Sequence, residues 1–440
     1  AKTPNTDVPC LICTGAFDGT SPKTIGYPLP IATFTGRYLD SQATRDFQQS
    51  FRTARANTIM FAPERNRIYT LIGSALFAYN IDTFFTRLAA GETMISSLTG
   101  PIQRNIRYPL PAETFLRWDK YFYAENGSGW NCPLMDGQDR LFGFDWDDRG
   151  IVYLAYSAFG WGLVRDDGTS DGRQMTSLHQ HFPEGDDLTP FRIMSVKTSA
   201  GHYYALVAAG GDATRTDVWD VTDPGNPVTQ PRQQRAFQLF AKSKDGSRIA
   251  VIDGYDNLSI FSADALASGG PPMATFNAPS GKYQGIATDG INFYSSFAGK
   301  GLTFSVFSPA GSLYTEQRIG TPNIERLDGN VGPINITPVS LRYNSGFLAV
   351  SGLLDFGSWN TYLFQVVGSQ VAYIDVNQYF AHYYYLSPQG YVHPSSAYIN
   401  IFDSWVYKAG DRLYVLIAAK GLGDVYELQP TSQRRRVSHP

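Results

Sequence analysis

The sequence predicts an all-β fold: a single β-propeller of seven blades, its ring closed by an N-terminal strand in the last blade. Three observations carry this expectation. A short apolar strand with an aromatic or branched anchor recurs along the chain, and hairpin partners precede the clearest copies. The final copy also runs out of chain before its outer strand, while an N-terminal segment matches the missing piece.

The recurrent strand is read at Ala75-Leu76-Phe77-Ala78-Tyr79, Gly162-Leu163-Val164, Asp217-Val218-Trp219-Asp220-Val221, Leu258-Ser259-Ile260-Phe261, Thr303-Phe304-Ser305-Val306-Phe307, Tyr362-Leu363-Phe364-Gln365 and Asp424-Val425-Tyr426-Glu427. Between Trp219, Phe261, Phe307, Phe364 and Tyr426 the intervals are 42, 46, 57 and 62 residues. A four-stranded blade needs about 40 to 50 residues, so the shorter intervals are bare blades and the longer ones carry loops. Partner strands at 248–252, 292–297 and 412–419 lead into turns rich in Gly and Asn, which tolerate the backbone angles of tight hairpins.

Closure follows from the ends. After Tyr426 only Gln429-Pro430 and a polar tail remain, so the last blade lacks an outer strand. Ile31-Ala32-Thr33-Phe34 resembles Met273-Ala274-Thr275-Phe276, which stands in the outer-strand position after Phe261. Residues 31–36 are therefore expected beside Val425, which removes an exposed sheet edge. The division expected is an extended segment over 1–30, one propeller domain over 31–429 with an inserted loop region at about 100–138, and a polar, basic tail over 430–440. The stretch 83–94 reads as a short helix or irregular connection. An eighth, degenerate blade in the 87 residues between Phe77 and Val164 is the alternative count.

The segment Asp220-Val221-Thr222-Asp223-Pro224-Gly225-Asn226-Pro227-Val228 resembles the repeat of the LVIVD family of surface and periplasmic propellers, in which a strand runs into Asp-Pro-x-Asn-Pro and then an outer strand. One copy matches well and the others loosely. The resemblance implies an exported propeller without a defined reaction.

Composition narrows the function classes. The 440 residues include 43% hydrophobic and only 17% charged, with 42 Gly and 26 Pro, which suits many short strands joined by tight turns. A net charge of −3 supplies no field to draw in nucleic acid. No run approaches the ~18 to 20 apolar residues of a membrane-spanning helix, so no transmembrane segment is expected and peripheral envelope association stays open. The start at Ala1, followed by the polar stretch to Pro9, reads as a mature end left by signal-peptide removal, which predicts a secreted, periplasmic or cell-surface protein.

Cys10 and Cys13 form a C-x-x-C pair, with Cys132 far away. Thr14 rather than His follows Cys13, which excludes haem attachment, and a disulfide within the pair or from one of them to Cys132 is expected. Asp167, Thr169 and Asp171 place oxygen side chains at alternate positions, the pattern of either a calcium loop or a polar turn. Leu178 at the twelfth position excludes an EF-hand, and calcium is the single cofactor suggested. Asp145-Trp146-Asp147-Asp148 reads as a hairpin end capped by Asp and neutralised by Arg149, the alternative being a metal or acid/base pair on one face. His179 and His181 share a face if extended; the readings are a polar loop between blades or a metal site.

Two aromatic-rich stretches are candidate binding surfaces: Tyr383, Tyr384, Tyr385, Tyr391 and Trp405, and Trp118, Tyr121 and Trp130 in the insertion. Exposed Tyr and Trp offer large apolar area with a hydrogen-bonding tip, suited to protein or sugar faces, and inter-blade packing is the alternative use. There is no H-E-x-x-H, Walker or G-x-G-x-x-G motif. The function expected is an exported, non-catalytic propeller that binds a protein partner or glycan, or serves as a scaffold subunit of a surface assembly. A calcium-dependent hydrolase or lactonase-like propeller is the rival.

Overall fold

Apolar runs fall where a strand is covered on both faces, and they build the middle of every blade. Ile151–Ala155 is buried at every residue, and Arg248–Asp253 at its four central residues, because neighbouring blades stack on either side. Outer strands meet solvent and turn polar, as in Val228–Gln233. The computed structural model describes residues 32–35, 56–72, 75–91, 94–96, 144–155, 160–166, 175–181, 190–209, 215–253, 257–277, 283–299, 301–308, 313–318, 323–325, 331–333, 336–354, 359–373, 384–386, 392–394, 401–419 and 422–428.

Seven sheets form a ring; six run outward in chain order, and the seventh takes its outer strands from the N-terminal part of the chain. Their inner strands are Ala56–Ala62, Phe144–Trp146, Pro190–Lys197, Phe237–Lys242, Tyr283–Thr288, Ile336–Asn344 and Ile401–Ala409, for blades 1 to 7 in that order. The fold is thus a seven-bladed β-propeller, as the recurrent strand predicts. All seven sequence copies fall in third strands: Ala75–Asn80, Trp161–Asp166, Thr216–Asp220, Leu258–Ser262, Gly301–Phe307, Trp359–Val367 and Leu422–Leu428.

The ring closes as the sequence requires. Ala32–Thr35 lies antiparallel to the last strand, with Ala32 opposite Val425 and Phe34 opposite Gly423. Met94–Ser96 then adds a parallel fifth strand, with Thr33 opposite Met94, so the end of the stretch read as a connection is instead part of blade 7. The helix Ile81–Ala89 between them starts at Asn80, whose side chain accepts the Thr83 N–H at 3.0 Å. Its Ile81, Phe84 and Leu88, at helical spacing, pack with Tyr79, Trp405 and Tyr414 and seal the seam between blades 7 and 1.

The Asp-Pro-Gly-Asn-Pro segment is a turn between the third and outer strands of blade 3. Asp223 accepts the Gly225 N–H at 3.0 Å and the Asn226 side-chain amide at 2.9 Å. Asp147 likewise ends a hairpin rather than pairing with Asp145. It accepts the backbone N–H groups of Arg149 and Ile151 and the Arg149 guanidinium at 2.8 Å, while Arg149 reaches on to the Val221 and Thr222 carbonyls of blade 3. His179 and His181 lie on the outer strand of blade 2, Met175–His181, and not in a polar loop between blades.

Candidate functional site: the inner strands

The inner strands carry the charged side chains that the ring gathers. In six blades the inner strand slips one residue against its neighbour near its start, between Ala56 and Thr58, Pro190 and Arg192, Phe237 and Leu239, Tyr283 and Gly285, Pro338 and Ser340, and Ile401 and Asp403. Such a bulge bends the strand and re-aims the residues beside it. Arg192, Ser340 and Asp403 follow these bulges directly, and Arg192 donates to the carbonyl of Gln238, the skipped residue of the next blade.

Two polar ties result. In the first, one carboxylate oxygen of Asp145 in blade 2 accepts the Ser195 N–H at 2.6 Å and its hydroxyl at 2.7 Å, both from blade 3, and the Lys242 ammonium of blade 4 at 2.6 Å. Lys242 also donates to Ser195 Oγ at 2.8 Å and to the Trp146 carbonyl at 3.1 Å. Asp145 and Ser195 are 3% and 4% exposed, so the charge is held by its partners rather than by water.

In the second tie, Asp403 of blade 7 accepts the Arg342 fork of blade 6, Nε and Nη2 each at 2.9 Å, and the Ser340 hydroxyl at 2.5 Å. A hydroxyl chain extends it outward: Ser404 to Ser351 at 2.6 Å and Ser351 to Thr361 at 3.0 Å. Between the ties, burial first and the Arg342 charge second pull Arg192 down to about 9. A third buried carboxylate, Asp166, joins blade 2 to blade 1, accepting Arg67 Nε at 3.1 Å and the Tyr69 hydroxyl. Burial and that neighbouring carboxylate hold Tyr69 protonated, far above its ordinary value.

Trp405, expected at a binding surface, is buried between blades 7 and 1. It stacks near Phe61 and donates its indole N–H to the Ile59 carbonyl, so it serves packing, the alternative use. Tyr384 and Tyr385 fall in a short hairpin, Tyr384–Leu386 with Val392–Pro394, in which Tyr385 pairs with His393. Tyr383, Tyr391, Trp118, Tyr121 and Trp130 lie outside the described residues, as do Asp167, Thr169 and Asp171 and the cysteines Cys10, Cys13 and Cys132. Sequence reading missed Ser195, Lys242, Ser340, Arg342 and Asp403. Their available signal was a lone charge or hydroxyl inside an apolar run just before a hairpin turn, as in Phe237-Gln238-Leu239-Phe240-Ala241-Lys242.

Among the described residues, no three His, Cys, Asp or Glu side chains gather to hold a metal ion, and no helix is long and apolar enough to cross a membrane. The class defined is a seven-bladed propeller whose inner strands are joined by buried polar ties. No family model matches the chain, and no curated protein matches its sequence. Solved structures similar to it are propellers at low identity. Sqt1 of Chaetomium thermophilum is 11% identical over 91% of this chain and 99% of its own, with a TM-score of 0.48. The Pan2 WD40 domain of Neurospora crassa is 11% identical over 92% and 98%, at 0.46. The WD40 domain of Toxoplasma gondii coronin is 13% identical over 65% and 68%, at 0.38.

Proposed function

We propose that the chain is an exported, non-catalytic propeller that binds a protein partner or glycan, or serves as a scaffold subunit of a cell-surface or envelope assembly. The observation that supports this reading is the bonding of the inner-strand charges. Asp145, Lys242, Arg342 and Asp403 are committed to one another and to Ser195 and Ser340, so they act as cross-links between blades. A general acid or base needs a proton-transfer position facing substrate, and these carboxylates spend theirs on neighbouring blades. The ring is then a rigid frame, and recognition falls to the segments it carries.

The test is a binding screen of the purified chain against peptide and glycan arrays. One ligand class is expected to bind saturably, and the set Trp118→Ala, Tyr121→Ala, Trp130→Ala, Tyr383→Ala and Tyr391→Ala is expected to weaken it at least about tenfold, the scale of hot-spot aromatics. Calcium-dependent ester or lactone hydrolysis that disappears in Asp145→Asn would replace this reading with the hydrolase.

A further inference from the structure

The chain ties blade 1 to blade 7 at both of its ends. It leaves Ala32–Thr35 in blade 7, builds the three strands of blade 1, and returns through the helix Ile81–Ala89 to Met94–Ser96, again in blade 7. Both returning strands are held by main-chain ladders, Ala32 to Phe34 against Gly423 to Val425 and Thr33 to Thr35 against Met94 to Ser96. Side chains fill the same seam. The Tyr407 ring is 5.0 Å from Phe61 and 4.2 Å from Phe85, and Trp405 donates to the Ile59 carbonyl.

Blade 2 holds blade 1 by much less. The chain enters blade 2 at Phe144 only after Met94–Ser96 in blade 7, so no described segment runs straight from one blade to the other. Among the described residues, a close pair of strands crosses each of the other six seams, and none crosses this one. The seam centres instead on the buried carboxylate of Asp166, which accepts Arg67 Nε at 3.1 Å and the Tyr69 hydroxyl. The Asp166 carbonyl accepts Arg65, whose Nε is buried without a hydrogen-bond partner. Nearby, the Trp146 indole N–H donates to Glu64 at 2.8 Å, and the Tyr69 and Phe144 rings stand 5.4 Å apart. A buried ion pair loses to desolvation much of what its attraction gains, and apolar packing carries no such cost.

We propose that the ring opens between blades 1 and 2, with blade 1 staying clasped to blade 7, and not at the seam where the two ends of the ring meet. Such an opening leaves the ladders within each blade whole, so it is local rather than global. Its reporters are already in place. Tyr69 faces blade 2, and Met60 and Ala78 stand opposite it in the ladders of blade 1, so they share its face.

The test uses the full chain with Cys10→Ser, Cys13→Ser and Cys132→Ser, so that a single added thiol reports each seam. Ala78→Cys reads the seam between blades 1 and 2, Ala205→Cys, Ala208→Cys and Ala250→Cys read the next three, and Ile68→Cys reads the seam between blades 7 and 1. In native buffer a thiol reagent is expected to label Ala78→Cys at least about tenfold faster than the others, with little dependence on urea because little surface is exposed. Adding Asp166→Asn should speed that labelling further and leave the other four rates unchanged. In the unmodified chain, which needs no variant to fold, peroxide should oxidise Met60 ahead of Met194, a residue of the seam between blades 3 and 4. Ala78→Cys no faster than the rest, Ile68→Cys faster than Ala78→Cys, a rate unmoved by Asp166→Asn, or Met194 oxidised first overturns the assignment.

Discussion

The Asp145 and Asp403 ties hold opposite arcs of the ring with the same ingredients and different reach. Each centres on a carboxylate at most 3% exposed that accepts a serine hydroxyl and a cation. Asp403 is gripped by the planar Arg342 fork within two adjacent blades, whereas Asp145 is reached by the flexible Lys242 stem from two blades away, with Ser195 between. The contrast follows the chemistry of the cations. A guanidinium supplies direction, and an ammonium supplies a point charge that can span a gap.

The largest effect expected comes from opening the ring while both ties stay in place. Deleting residues 31–36 removes the strand that pairs with Gly423 to Val425, and the single unfolding transition of a closed ring should split in two by calorimetry. If it stays single and unshifted, the ties alone hold the ring.

Next, Asp145→Ala strands Lys242 and Ser195 together and should cost about 3 to 5 kcal/mol in urea unfolding, as for a broken buried pair. Asp403→Ala should fall in the same range, and a cost below about 1 kcal/mol for either would mark that tie as solvated. Arg342→Lys keeps charge and loses the fork, for about 1 to 2 kcal/mol, while Lys242→Arg should not gain because its site has no bidentate geometry.

Between the arcs, Gly285 of blade 5 packs against Leu341 of blade 6. A Cβ there would sit 2.6 Å from Ser296 Oγ and 2.8 Å from Leu341 Cβ, so Gly285→Ala should destabilise by about 1 to 3 kcal/mol. A neutral result would show that the blades slide.

The last effect is in pH and lies outside both ties. His179 is held at about 4 against 6.5 in an open chain, so as pH falls from 6.5 the unfolded state takes a proton first. Stability from this group is full above 6.5, declines toward pH 4 and changes no further below it. His179→Gln should flatten that part of the urea midpoint against pH.

Much of the ring was legible from local pattern. The third strands repeat as apolar runs, as in Leu258–Ser262, because each such strand is covered by a neighbouring blade on both faces, and burial on two faces writes an apolar run into any sequence. Val425 found its partner Ala32 across nearly the whole chain because the missing outer strand is a matter of count. Trp405 was misplaced for the same reason the inner strands were missed. An aromatic residue reads alike at a surface and at a seam, and only the contact with Ile59 assigns it.

What the sequence determined by itself is periodicity: the recurrent strand, the order of its copies, and the end that must be borrowed, since alternation and turn chemistry act over a few residues; seven blades rather than eight was decided by the structure. The tertiary structure alone decided which charges meet. Asp145 and Lys242 lie 97 positions apart, and a hydrogen bond at that separation exists only after the ring has bent the chain back on itself.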